Sequence, residues 1–220
     1  MSEHKPPLSL VVLISGRGSN LKAILDTIRR GELPAVVTAV ISDRTQAPGL
    51  EYARQENIDT LALAAADYPD KDGYDRALQG LIDRFEPGLV VLAGFMRILT
   101  PAFVHRYQGR LINIHPSLLP EFRGLDTHRR AIEKGVKQHG ASVHFVTEEL
   151  DGGPVIVQVR VAVLPDDDGD RLAARVLQQE HRLYPQAIRW LAEGRVSLNG
   201  QQLLFDQQPL QQPLQIDTDE

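Results

Sequence analysis

The chain has 220 residues, 24 Lys and Arg against 29 Asp and Glu, a formal charge of -5 and no cysteine. That length suits one ordinary domain or two small ones, and the missing thiols exclude disulfides, thiolate metal sites, iron–sulfur clusters and cysteine nucleophiles. The acidic balance leaves no basic excess for non-specific nucleic-acid binding, and no stretch approaches the roughly 18 apolar residues of a membrane helix.

Leu8–Ile14 is a short apolar, β-branched run ending at Ser15 and Gly16, the pattern of a buried strand. It is followed by no clear cleavage site, so no secretory signal is read and a cytoplasmic location is expected, with neither membrane nor nucleic acid as partner. Leu21, Ile24, Leu25 and Ile28 give helical spacing over Asn20 to Arg30, and Gly31 is the stop. A second strand is predicted at Ala35–Ile41, a helix at Gly49–Glu56, a weaker strand at Thr60–Ala64 and a helix at Tyr74–Phe85 closed by Pro87. Leu89–Ala93 is a third buried strand. Strands alternating with helices predict an α/β chain with a mostly parallel sheet, and continuous apolar strands predict helices on both faces. Ligands of such sheets lie beyond the carboxyl ends of the strands.

Beyond Leu111–Ile114 the pattern is less regular. Ser142–Val146 and Val155–Val163 read as strands, and Asp168–Leu191 as a long helix that Pro185 would kink or divide. His105 and His181 read as helix surface, His139 as part of a polar turn, and His128 as the opening of a helix. From Gln201 onward seven of twenty residues are Gln, so 201–220 is expected to be a mobile tail without a site.

Three loops carry the chemistry. Ser15-Gly16-Arg17-Gly18-Ser19-Asn20 joins the first strand to the first helix. Two glycines let the backbone approach a ligand, Ser19 or Asn20 can cap the helix, and free N–H groups favour an anion. Leu21 stands where a Walker loop or a dinucleotide fingerprint needs glycine. A phosphorylated small molecule therefore fits better than NAD, although Asp43 at the end of the second strand could imitate a ribose-binding acid. Ordinary tight-turn capping is the competing account.

In Leu111-Ile112-Asn113-Ile114-His115-Pro116-Ser117-Leu118-Leu119-Pro120, Asn113 and His115 are two apart on a strand end and share a face. A carboxamide can donate to a developing oxyanion, and an imidazole can donate or move a proton. Thr147-Glu148-Glu149-Leu150-Asp151-Gly152-Gly153-Pro154 places a carboxylate before a glycine pair, suited to orienting an imidazole. These acids with His144 could alternatively hold a hard cation, but their spacing matches no Ca²⁺ loop. Gly94-Phe95-Met96-Arg97-Ile98-Leu99 reads as core or as pocket lining.

Ser15 to Leu21, Leu92 to Leu99, Ile112 to Pro120 and His144 to Pro154, in that order, closely resemble the phosphoribosylglycinamide formyltransferase family of folate-dependent enzymes. The Asn-x-His-Pro-Ser and Asp-Gly-Gly-Pro elements recur in methionyl-tRNA formyltransferases and formyltetrahydrofolate hydrolases. The first loop and the limited length, with only the Gln-rich stretch after Gly194, favour a ribonucleotide over tRNA.

The resemblance implies a Rossmann-like formyltransferase fold over 8–194, with a nucleotide-binding half of about 8–107 and a folate and catalytic half of about 108–194. It implies transfer of a formyl group from 10-formyltetrahydrofolate, as cosubstrate, to the amine of glycinamide ribonucleotide in purine synthesis. No metal and no covalent enzyme intermediate are needed. Asn113, His115 and Asp151 would be catalytic. Gly18, Ser19, Asn20 and Glu180 would bind the ribonucleotide. Met96, Arg97, Ile98, Leu99, Asn113, Thr147, Glu148, Glu149, Leu150 and Asp151 would meet the folate. Lys71 would contact the folate tail where the family often has Arg, offering charge without a bidentate fork. The competing activities are those of a formyltetrahydrofolate hydrolase, a dinucleotide-dependent oxidoreductase and a binding protein without turnover. Oligomeric state is not legible in the sequence.

Overall fold

The computed structural model describes residues 6–217. In chain order it contains β1 (Leu8–Ile14), α1 (Ser19–Arg29), β2 (Ala35–Ser42), α2 (Leu50–Gln55), β3 (Asp59–Ala62), α3 (Lys71–Asp83), β4 (Leu89–Leu92) and α4 (Pro101–Arg106). These are followed by β5 (Leu111–His115), α5 (Thr127–Lys134), β6 (Gln138–Phe145), β7 (Val155–Ala162) and α6 (Gly169–Ala192). Four short strands complete the chain: β8 (Val196–Asn199), β9 (Gln202–Phe205), β10 (Gln208–Pro209) and β11 (Leu214–Ile216).

Eight strands form one sheet in the order β11-β7-β6-β5-β4-β1-β2-β3. β6 runs antiparallel to both β5 and β7, and every other pairing is parallel. Burial of both faces explains why β1 is apolar from Leu10 to Ile14. Leu10, Val12 and Ile14 join the core on one face, with Leu21 and Ile24 of α1 and Leu183 and Ile188 of α6. Val11 and Leu13 join the core on the other, with Tyr74 and Leu78 of α3 and Phe103 of α4. Each such fully buried side chain contributes about 1.5–3 kcal/mol relative to exposure. The α/β class and the helix-covered, mostly parallel sheet are as the sequence predicts. The strand order reverses between β1 and β4, which sets the crevice at their carboxyl ends.

Several expectations are corrected. The Gln-rich stretch is built into the fold: β8, β9 and β10 form a small antiparallel sheet, and β11 extends the main sheet beside β7. The Gln count hides an apolar period. Leu203 is buried, Phe205 packs edge-on against Trp190 at 5.5 Å, and Leu214 and Ile216 rest on the core. Residues 218–220 of the predicted tail lie outside the described residues. Pro185 does not divide α6, which runs unbroken for 24 residues. His139 lies buried in β6, not in a turn, and His181 is half-buried.

Candidate active site

The first loop turns at Gly18, whose φ of 73° is left-handed. A Cβ there would lie 2.7 Å from the Gly49 Cα, so both backbone freedom and space require glycine. Gly18 occupies the N-cap of α1 with no side-chain cap, and neither Ser19 nor Asn20 caps the helix as expected. The Asn20 carboxamide instead donates to Glu180 Oε2 at 2.7 Å. The first-turn N–H groups of α1 are thereby left without an intrahelical partner or a side-chain cap. They border a cleft of about 260 Å³ lined by Ser15–Asn20, Arg44, Ala93, Gly94 and Met96. Glu180 is 7% exposed, and burial pushes its carboxyl above the usual range against the lowering effect of Asn20.

Along one turn of α6 from Glu180, the Tyr184 hydroxyl donates to the carbonyls of Leu92 in β4 and Ile112 in β5, at 2.9 and 3.2 Å. This helix thus ties the first loop to the strand that carries Asn113 and His115. The three predicted catalytic side chains converge there. His115 is 6% exposed; its Nε2–H donates to the Phe122 carbonyl at 3.0 Å, and its Nδ1 stands 3.4 Å from Asp151 Oδ2. That same carboxylate oxygen accepts from Gly124 N–H at 2.9 Å.

Asp151 sits at a left-handed φ of 50°, at the corner of a turn with no room for side chains. A Cβ on Gly153 would fall 1.9 Å from the Phe145 carbonyl oxygen. The second glycine of Asp-Gly-Gly-Pro is therefore a steric requirement of the turn that carries the Asp151 carboxylate to within 3.4 Å of His115.

Met96 and Ile98 are 64% and 67% exposed, while Phe95 is buried and Leu99 packs on the core. The pocket reading suits the first two and the core reading suits the others. The segment is anchored by Met96 N–H to Ser15 Oγ at 2.8 Å and by Thr100 N–H to the buried Asp75 at 2.6 Å. Arg97 stacks over Tyr74 at 4.5 Å. Lys71 opens α3, the helix carrying Tyr74 and Asp75, and is exposed without an ion pair among the described residues. Thr147, Glu148, Glu149 and Leu150 form the outer part of the Asp151 loop. Glu148 pairs with His105, Glu149 with Arg123, and Leu150 is half-exposed. Among the described residues no group of three or more His, Asp or Glu is placed to hold a metal ion.

Residues 8–188 match the formyl transferase family. The chain belongs to that family. It is 52% identical over 203 residues to the phosphoribosylglycinamide formyltransferase of Escherichia coli, covering 92% of this chain and 96% of that one. The phosphoribosylglycinamide formyltransferase structure from Coxiella burnetii superposes with a TM-score of 0.92 at 46% identity, covering 95% of this chain and 99% of the other. A formyltetrahydrofolate deformylase from Pseudomonas putida gives 0.81 at 32% identity, covering 90% and 70%.

Within this formyl transferase fold, one residue is missed by sequence reasoning. In the linear sequence His144 stands only as part of a motif or as a candidate cation ligand. β5–β6 pairing sets it directly opposite Asn113. It is 2% exposed, and burial outweighs the Asp151 carboxylate 3.8 Å away, pushing its pKa down to about 4. The neutral ring donates through Nδ1–H to the Phe145 carbonyl at 2.9 Å, which leaves the Nε2 lone pair to accept from Asn113 Nδ2 at 3.3 Å. The Asn113 carboxamide is oriented by that contact. The only sequence signal is a histidine between Val143 and Phe145, in a strand that also holds His139 and Ser142.

Proposed function

We propose that this protein transfers the formyl group of 10-formyltetrahydrofolate to the primary amine of glycinamide ribonucleotide. The observation that carries the reading is the pairing of an Asn113–His115–Asp151 cluster with a glycine-built anion cradle, joined through α6. The 52% identity to the E. coli enzyme supports this acceptor over hydrolysis, where the deformylase shares 32%.

The outward-facing Met96 and Ile98 and the half-exposed Leu150 offer apolar surface suited to an aromatic ring, so these residues fit a folate. The folate supplies an activated formyl group on N10. Gly18, Ser19 and Asn20 hold the ribonucleotide phosphate through backbone N–H groups, with Glu180 bracing Asn20. Lys71 offers a charge to the folate tail.

As the amine forms its bond to the formyl carbon, charge grows on the formyl oxygen. Asn113 Nδ2 has one hydrogen on His144 and donates the other to that oxygen. His115 acts in its protonated form, with a hydrogen on each ring nitrogen: Nε2–H is held by the Phe122 carbonyl, and Nδ1–H is the second donor. Asp151 orients that nitrogen and assists removal of the amine proton, which ends on N10 as the carbon–N10 bond breaks.

The test follows deformylation of 10-formyltetrahydrofolate with and without glycinamide ribonucleotide. Turnover that requires the acceptor is expected. Equal turnover without it would replace this reading with the hydrolase. Reduction of NAD would point to an oxidoreductase, and folate binding without turnover to a binding protein.

A further inference from the structure

The backbone cradle does not balance the charge of a phosphate. A helix N-terminus carries roughly half a positive charge, whereas a phosphate monoester carries about -1.5 to -2 near neutral pH. Within the cleft the Asn20 Oδ1 is buried and unpartnered, on a side chain that is 8% exposed. It is an acceptor and adds no positive charge.

Arg44, two residues beyond β2, lines the same cleft from a separate loop. Its position is fixed against the cradle. Arg44 N–H donates to Ser42 Oγ at 3.1 Å, and Gly49 N–H, at the far end of that loop, donates to the Gly16 carbonyl at 3.0 Å. A Cβ on Gly49 would lie 2.8 Å from the Gly18 Cα, so the two loops touch backbone to backbone. Arg29 and Arg54 are paired with carboxylates, whereas the two guanidinium groups that line the cleft, Arg17 of the first loop and Arg44, make no ion pair among the described residues.

We propose that Arg44 is a side-chain cation of the phosphate site, beyond the first loop and its Arg17, and that it strengthens the preference for a phosphorylated over an unphosphorylated acceptor. The inference rests on the ribonucleotide reading of the cradle. A guanidinium matches phosphate with two parallel N–H donors, which a lysine does not.

Calorimetric titration of the full chain with ribose 5-phosphate, and with ribose as control, tests it. The wild type should bind the phosphorylated sugar, Arg44→Gln should bind it at least about tenfold more weakly, and Arg44→Lys should fall between. Arg160→Gln, an exposed arginine on β7, removes the same charge elsewhere and should bind like the wild type. Equal affinity of the wild type and Arg44→Gln, an equal loss in Arg160→Gln, or no wild-type binding each overturn the assignment. In turnover, Arg44→Gln should raise KM for glycinamide ribonucleotide and leave kcat unchanged, because the phosphate is remote from the reacting amine. A wild type that binds ribose 5-phosphate through Arg44 yet transfers no formyl group would remove the proposed reaction and leave this site standing.

Discussion

The phosphate and catalytic halves of the proposed site are built by opposite means. The phosphate side is mostly backbone: a left-handed Gly18, uncapped N–H groups and two loops in contact at Gly18 and Gly49. The catalytic side is side chains, each held by a neighbour: Asn113 by His144, His115 by the Phe122 carbonyl, and Asp151 by Gly124. The difference teaches that binding a fixed charge can rest on backbone geometry completed by a cation, whereas stabilising a transient one demands donors that do not move.

Breaking the catalytic side should cost most. Asn113→Ala and His115→Ala should each lower kcat by about 10²–10³, with circular dichroism and thermal midpoint close to wild type. Near-normal turnover in both would remove the oxyanion role. Gly153→Ala should come next. Its Cβ would meet the Phe145 carbonyl, so the Asp151 turn must move, and a 1 Å misplacement can cost about 100-fold in rate. Steady-state kinetics should show the loss in kcat, while KM for the ribonucleotide, set on the other side, stays put.

The third prediction concerns pH. His139 and His144 titrate near 6.5 in an unfolded chain, but burial pushes both down to about 4 in the fold. Between those values the unfolded chain binds more protons, so the contribution of these histidines is lost as pH drops from about 6.5 toward 4, and carboxylates held low in the fold, such as Asp167 at about 2, continue the decline below. Denaturant midpoints measured across that window should decline. The decline should be shallower in His139→Gln, and an unchanged slope would count against the buried-neutral assignment. The smallest effect belongs to the exposed Lys71. Lys71→Ala should raise KM for the folate by a few-fold at low salt, since an exposed ion contact contributes about 0.2–1 kcal/mol, and by less at high salt.

Legibility followed the same division. β1, β2 and β4 are largely apolar runs, and the loop after β1 announces itself through two glycines. Asn113, His115 and Asp151 were legible because strand period two and a Gly-Gly-Pro turn leave marks in a linear sequence. His144 was not, because its role depends on cross-strand pairing with a residue 31 positions away. Arg44 was not singled out because nothing in its neighbours says which loop it touches. The composition of 201–217 misled, since counting Gln obscured the alternation that drives Leu203 and Phe205 inward.

β11 is made after every other described strand, yet it pairs with β7, whose sequence is Val-Ile-Val-Gln-Val-Arg-Val-Ala. During synthesis β7 therefore presents an open, largely apolar edge until the last strand arrives, and such edges recruit strands from other chains. Cutting the chain back to Gly194 on the strength of its motifs would make that exposure permanent. The Gln-rich ending is thus a cover for the sheet's edge, and expression yield and solubility of a truncated chain, more than its kinetics, are where its removal would register.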